Sequence, residues 1–315
     1  MIDSMTKPKV IAVMGPTASG KSALALALAK RCGGEIVSCD SIQVYRGMDI
    51  GSAKPSREEQ ASVPHHLIDI LEPEQSFSCA DFTALAHDAI CDIHRRGKTP
   101  VLCGGTGLYM DNLLLDTDFS EAGEDPAYRA ELELQPSEIL FARLREVDLP
   151  SAEATHPNNR KRIIRALEIY HLTGIPKSEW DARSRRKESR YGYLRLLIVC
   201  DREKLYARIE ERVDEMLRQG LTEEVRSLLP RLGQTARGAI GYKELAAYLR
   251  GEDTEENAIL RLKQATRNYA KRQITWERRY NPDDDTILRI PMEEVSGGRL
   301  PTVLADRVDR FLQSK

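Results

Sequence analysis

Two apolar patterns alternate along the first third of the chain. Lys9 to Gly15, KVIAVMG, is an unbroken apolar run rich in β-branched residues, as a parallel strand buried on both faces requires. Ala23 to Arg31, ALALALAKR, is built from the strongest helix formers. The same reading predicts strands over 35–39, 65–69 and 99–104 and a helix over 80–96. After Leu115 the pattern changes. Thr117 to Pro126, TDFSEAGEDP, is polar and turn-like, and from there to Glu188 the periodicity gives short helices and no strand. Tyr193 to Cys200, YLRLLIVC, resumes a buried strand, and the remainder reads as helix with one late strand over 286–290. The expectation is an α/β fold. Its core, 1–116 and 191–315 with C-terminal helices, is interrupted at 117–190 by a mostly helical insertion domain.

The turn after the first strand carries chemistry. Gly15 to Ser22 reads GPTASGKS, a complete G-x-x-x-x-G-K-[ST] phosphate loop between strand and helix. Gly15, Pro16, Thr17, Ala18, Ser19, Gly20, Lys21 and Ser22 are therefore expected to wrap a diphosphate or triphosphate. Backbone N–H groups curl around the anion and the helix points its positive end at the same place. Lys21 adds a charge, and the Ser22 hydroxyl is suited to Mg²⁺. This context predicts a P-loop NTPase-like parallel sheet flanked by helices. Yet the usual second strand, ending in a metal-binding Asp, is missing. The strand before the next glycine cluster, TPVLCGGTGLY, ends in glycines, and no N-K-x-D occurs. The nearest carboxylate is Asp40, which closes EIVSCDS at the edge where ligands of open α/β sheets lie. Two readings stay open for it, a carboxylate facing the same crevice as the phosphate and a simple cap of the following turn.

Composition adds a frame. The 315 residues carry a net charge of −2, with 41% hydrophobic and 30% charged residues, enough for a core in one large or two ordinary domains. No run approaches a membrane span and no secretory pattern precedes the first strand. Six cysteines without C-x-x-C spacing read as reduced thiols in the cytoplasm, and the histidines form no metal spacing. Charge is segregated. His156 to Arg195 holds eleven basic and four acidic residues, and Arg261 to Arg279 holds seven and one. Such stretches suit a polyanion, although a solvated helix face is the commoner meaning of any single one. In NRKRIIRALEIY, Ile163, Ile164, Leu167 and Tyr170 share one helix stripe, with Lys161, Arg162 and Arg165 opposite. In LYARIEERVDEML, Arg212 lies about 20° from Leu205 at the edge of the buried stripe. An arginine there needs an anion, either a structural carboxylate or a ligand phosphate.

Separated motifs then occur in an ordered set: GPTASGKS, DSIQVYRGMDIGSAKPS, PHHLID, SFSCADF, GGTGLY, HPNNRKRIIRALEIY, RVDEML, AIGYKEL and QATRNYAKRQITW. Together they make nearly the whole chain resemble the tRNA dimethylallyltransferase, or tRNA isopentenylpyrophosphate transferase, family. The resemblance implies transfer of a dimethylallyl group from dimethylallyl diphosphate to an adenosine beside the tRNA anticodon. The phosphate loop would then hold a leaving diphosphate. Asp40 would take the amine proton, and Lys21, Ser22 with Mg²⁺, and Arg212 would oppose the growing charge. Expected contacts to the anticodon stem-loop are Asp40, Ser41, Ile42, Gln43, Thr106, Lys161, Arg162, Ile163, Ile164, Arg165, Arg237, Gly238, Ala239, Ile240, Gly241, Tyr242 and Arg267. The insertion domain is expected to serve tRNA binding, and the enzyme to act as a cytoplasmic monomer. A small-molecule kinase would explain the loop but not the basic insert. A non-catalytic RNA-binding ATPase would leave Asp40 idle.

Overall fold

Apolar residues on both faces of a strand demand a layer of helices on each side, and the chain supplies them. A computed structural model describes residues 7–115, 123–184 and 188–314. Residues 117–122 of the expected polar turn, and Arg185, Arg186 and Lys187 of the basic segment, lie outside them. The strands are β1 (Lys9–Met14), β2 (Glu35–Ser38), β3 (His65–His66), β4 (Pro100–Gly104), β5 (Gly192–Val199) and β6 (Ile287–Pro291). They form one sheet in the order β3-β2-β4-β1-β5-β6, with every pairing parallel. The helices of the first half are α1 (Lys21–Cys32), α2 (Arg57–Ser62), α3 (Cys79–Arg95), α4 (Gly107–Leu114), α5 (Pro126–Glu133), α6 (Ser137–Val147), α7 (Leu149–Glu153), α8 (Arg160–Thr173) and α9 (Lys177–Ser184). Those that follow are α10 (Arg202–Arg218), α11 (Leu221–Leu228), α12 (Gln234–Arg237), α13 (Tyr242–Leu249), α14 (Glu255–Glu277) and α15 (Thr302–Gln313). The chain divides into two units, 1–114 with 190–315, and 115–189.

In the larger unit, side chains alternate across the sheet as the pleat requires. Val10, Ala12, Met14, Val37 and Leu102 join one cluster with Phe82, Ile90 and Ile93 of α3 and Leu245 of α13. Ile11, Val13, Ile36 and Val101 join the other, with Leu24 and Leu28 of α1, Leu205 and Ile209 of α10, and Leu304 and Val308 of α15. Each fully buried branched side chain stabilises the fold by about 1.5–3 kcal/mol relative to exposure. The chain leaves β1 through α1 to β2, which lies beyond β4 in the sheet. The connection therefore opens a crevice between the carboxyl ends of β1 and β4, where such sheets hold ligands. Register brings Met14 level with Gly104, and Ser38 level with Cys103.

At the opposite end of the sheet, buried Glu35 is paired with Arg96, Lys98 and His66. The Arg96 guanidinium above all holds its carboxyl well below the usual range. His66 is thus explained without a metal, and His65 bonds the Val63 carbonyl at 2.8 Å. All six cysteines are free thiols. No helix among the described residues is long and apolar enough to cross a membrane.

The smaller unit has its own core of Leu132, Leu140, Leu144, Ala152, Ile163, Ile164, Ala166 and Leu167. Helix α8 begins at an Asn159 cap and stops at Gly174, whose φ of 69° is left-handed. Fully buried Glu168 on α8 accepts from the Asp125 N–H at 2.8 Å and pairs with Arg129 and Arg165.

Candidate active site

The phosphate loop is shaped by backbone conformations that its sequence permits. Gly20 has φ 93° and Ala18 φ 64°, and the Ser19 N–H closes a turn onto Pro16 O at 3.2 Å. A Cβ on Gly15 would fall 2.8 Å from Ser19 Oγ and 3.1 Å from Ile198 Cβ, so only glycine lets the loop lie this close to β5. Gly20 caps α1 without a side-chain bond, which leaves the first-turn N–H groups open to an anion. Ser19 Oγ is buried with no hydrogen-bond partner among the described residues. Ser22 is exposed. Thr17 differs from expectation, because its N–H is already bonded to Gln273 Oε1 at 2.8 Å.

Three charged groups expected from sequence converge here. Lys21 is half-buried, and desolvation together with the nearby Arg212 cation lowers its pKa against the opposing fields of Cys103, Asp40 and Glu277. Among the described residues its ammonium donates only to Pro16 O, at 3.4 Å. Arg212 is likewise depressed by burial, with the Asp40 carboxylate opposing the shift. Arg212 makes no ion pair or hydrogen bond with any described residue. It also lines a cavity of about 540 Å³ with Asp49, Lys54 and Met216. Asp40 caps its turn. Its Oδ1 accepts from the N–H groups of Ile42 at 2.8 Å and Gln43 at 3.3 Å, capping the turn. Its Oδ2 makes no such bond with a described residue, so Oδ1 alone is held in the turn.

Sequence reasoning missed the part played by α14, whose Tyr269, Gln273, Trp276 and Glu277 lie on successive turns. Tyr269 is raised to about 12 by burial and then by Asp40. Its hydroxyl lies beside Thr106 without meeting hydrogen-bond geometry, leaving Thr106 Oγ1 buried and unpartnered. Ser19 Oγ and Thr106 Oγ1 are thus the two unpartnered buried hydroxyls on the loops that leave β1 and β4, among the described residues. Glu277 is raised to about 8, chiefly by burial, with Lys21 opposing. Cys103 rises to about 11 for the same reason. Polar residues at helical spacing inside QATRNYAKRQITW were the available signal. No cluster of three or more His, Cys, Asp or Glu able to hold a metal occurs among the described residues.

The expected tRNA contacts separate into two groups. Lys161, Arg162, Arg237 and Gly238 are exposed. Ile163 and Ile164 are 0% and 4% exposed in the core of the smaller unit, so their side chains are not surface contacts. Ala239, in the turn between α12 and α13, and Tyr242, on the inward stripe of α13, are likewise buried, in the larger unit. Gly241 is also buried and starts α13 with φ 95°, and Ile240 is half-buried. Tyr242 donates to Glu224, which also accepts from the N–H groups of Asp49, Ile50 and Gly51. The AIGYKEL segment thereby holds the loop that follows Asp40. Within that loop Ser41 and Ile42 are half-buried, and the Gln43 amide donates to Ser52 O and Ala53 O. Arg165 is tied to Glu168 and to Gly123 O, and Arg267 to Glu210 and Gln264.

The family model described as IPP transferase matches residues 43–280, and one described as isopentenyl transferase matches 8–71. The chain is 51% identical to the tRNA dimethylallyltransferase of Geobacter metallireducens, over 87% of this chain and 90% of that protein. It is 47% identical to the tRNA dimethylallyltransferase of Anoxybacillus flavithermus, over 91% and 94%. Among solved structures, the tRNA isopentenylpyrophosphate transferase of Bacillus halodurans superposes with a TM-score of 0.69 at 40% identity, covering 98% of this chain and 99% of that one. A eukaryotic dimethylallyltransferase described as acting on tRNA superposes with a TM-score of 0.77 at 27% identity, over 98% and 86%.

Proposed function

Because the chain belongs to the IPP transferase family, we propose that it transfers a dimethylallyl group from dimethylallyl diphosphate to the exocyclic amine of the adenosine 3′ of a tRNA anticodon. One observation carries the reading. Two half-buried cations at the phosphate loop, Lys21 and Arg212, neither in an ion pair with a described residue, share the field of a carboxylate whose Oδ2 makes no hydrogen bond with a described residue. A kinase needs carboxylates for metal. This crevice has a carboxylate and cations disposed for a leaving diphosphate and an attacking amine.

The adenine amine attacks the carbon bearing the diphosphate. The carbon–oxygen bond breaks with its electron pair going to the diphosphate, and the amine proton passes to Asp40 Oδ2. The lone pair of that amine is drawn into the purine ring, so a base that also orients it contributes about 10²–10⁴ in rate. Lys21, Arg212 and the first N–H groups of α1 oppose the charge appearing on the diphosphate, where partial desolvation already depresses both cations. The exposed hydroxyl of Ser22 fits Mg²⁺, an ion that takes most of its oxygens from phosphates and water and would neutralise part of the leaving charge. Thr106, orphaned and buried, is suited to a base that has left the anticodon stack. Lys161, Arg162 and Arg237, exposed, suit the RNA backbone. We propose further that it works on tRNA in the cytoplasm, as a monomer in which all the proposed catalytic groups lie on one chain.

The test is label transfer without ATP. Radiolabelled dimethylallyl diphosphate is incubated with an unmodified anticodon stem-loop, with the same stem-loop carrying guanosine at the target position, and with AMP. Label in the first alone is expected. Equal labelling of AMP would make this a free-nucleotide prenyltransferase, and ATP-dependent phosphate transfer would make it a kinase.

A further inference from the structure

Helix α14 crosses the carboxyl ends of β1 and β4 and places one side chain between the two loops that leave them. Gln273 is 6% exposed. Its Oε1 accepts from the Thr17 N–H of the phosphate loop at 2.8 Å, and its Nε2 donates to Gly105 O at 2.9 Å. Gly105 immediately precedes Thr106. A Cβ on Gly105 would fall 2.0 Å from Gln273 Nε2, so the contact requires glycine at 105. The helix itself is pinned. Trp276 donates to Asp111 Oδ2 at 2.7 Å and lies so close to Gly107 that a Cβ there would be 2.3 Å from its Cδ1. Asp111 also accepts from Tyr280 at 2.9 Å and faces Arg195 at 3.0 Å.

We propose that Gln273 is a positioning residue that fixes the distance between the diphosphate loop and the Thr106 loop, and so the reach from reacting carbon to attacking amine. The inference rests on the prenyl-transfer reading of this crevice. Gln273 does not bind the diphosphate, because its acceptor consumes a loop N–H instead of presenting a donor. The task needs one acceptor and one donor on a single planar group of this length. Methionine has the length without either. Glutamate keeps the acceptor but turns lone pairs toward Gly105 O, unless it is protonated. A displacement of about 1 Å between reacting groups costs on the order of 10²-fold in rate.

The experiment compares wild type, Gln273→Met and Gln273→Glu, well below their melting temperatures, in single-turnover transfer to a saturating stem-loop. Dissociation constants for inorganic diphosphate and for the stem-loop are measured in parallel. For Gln273→Met we expect about a 10²-fold slower transfer with both dissociation constants within about threefold of wild type. For Gln273→Glu we expect the rate, taken as a ratio to wild type at each pH, to recover as pH falls and the carboxyl gains a proton to donate to Gly105 O. A purely structural side chain would show no such recovery. Wild-type rates in Gln273→Met, losses confined to the dissociation constants, or a pH-independent ratio in Gln273→Glu would each overturn the proposal. Absence of transfer by wild type would instead sink the reading of the crevice on which it rests.

Discussion

Replacing Arg212 by alanine should weaken diphosphate binding and leave the empty protein about as stable as before. Arg212 is half-buried, desolvation depresses its pKa, and the field of Asp40 opposes that shift. A partly desolvated cation without an ion-pair partner costs free energy, so deleting it relieves a penalty while forfeiting the packing of its stem beside the cavity it lines with Met216. The two terms offset, and the net change should stay within about 1 kcal/mol, a few degrees of melting temperature. The loss falls on the ligand. A hydrogen bond to a charged group contributes about 1.5–3 kcal/mol, which is about 10- to 150-fold in the dissociation constant. Lysine should restore only part of it, since an ammonium cannot bridge two phosphate oxygens in one plane. Melts titrated with inorganic diphosphate, together with separate KM values for dimethylallyl diphosphate and tRNA, read both terms. A melting temperature lowered by roughly 10 °C with normal kinetics in the folded fraction would show Arg212 to be a structural residue.

Other perturbations follow from the same geometry. Arg162→Ala, at an exposed side chain on α8, should weaken tRNA binding and reduce the slope of log affinity against log salt by roughly one unit or less; an unchanged slope returns this helix to a solvated face. Ile164→Ala, in the core below it, should destabilise the smaller unit by about 2–5 kcal/mol, and a change within error on thermal unfolding would contradict its burial. Glu277, raised to about 8 from an ordinary 4.5, keeps in the folded state a proton that the unfolded chain loses. Its contribution to stability is therefore full below pH 4.5 and falls as pH rises from 4.5 to 8. Glu277→Gln should flatten that decline in urea unfolding. Diphosphate binding near pH 8 should take up protons in wild type and not in the variant, seen as a buffer-dependent calorimetric enthalpy.

Local pattern made much of the core legible. KVIAVMG and ALALALAKR gave β1, the phosphate loop and α1, because strand burial, loop glycines and helix propensity all act within a few residues. Arg212 was legible because a cation on an apolar stripe is a conflict visible in one helix. The roles of Tyr269, Gln273 and Glu277 were not, because each depends on a partner far along the chain, such as Thr17 or Lys21. Arg165 and Arg267 looked like free surface cations, since neither Glu168 nor Glu210 announces its pairing in sequence. The range Lys161 to Arg165 was too coarse for a helix. Periodicity itself turns Ile163 and Ile164 inward, as they are found.

Asp40→Asn tests the central claim most directly. The asparagine keeps an Oδ1 for the Ile42 and Gln43 N–H groups, so the turn survives, while charge and basicity at the second oxygen are lost. Single-turnover prenyl transfer to tRNA should be measured at two Mg²⁺ concentrations. If Asp40 takes the amine proton, the rate falls by about two to four orders of magnitude at both, with diphosphate and tRNA affinities little changed. Near-normal turnover, or a loss restored by raised Mg²⁺, would contradict the assignment.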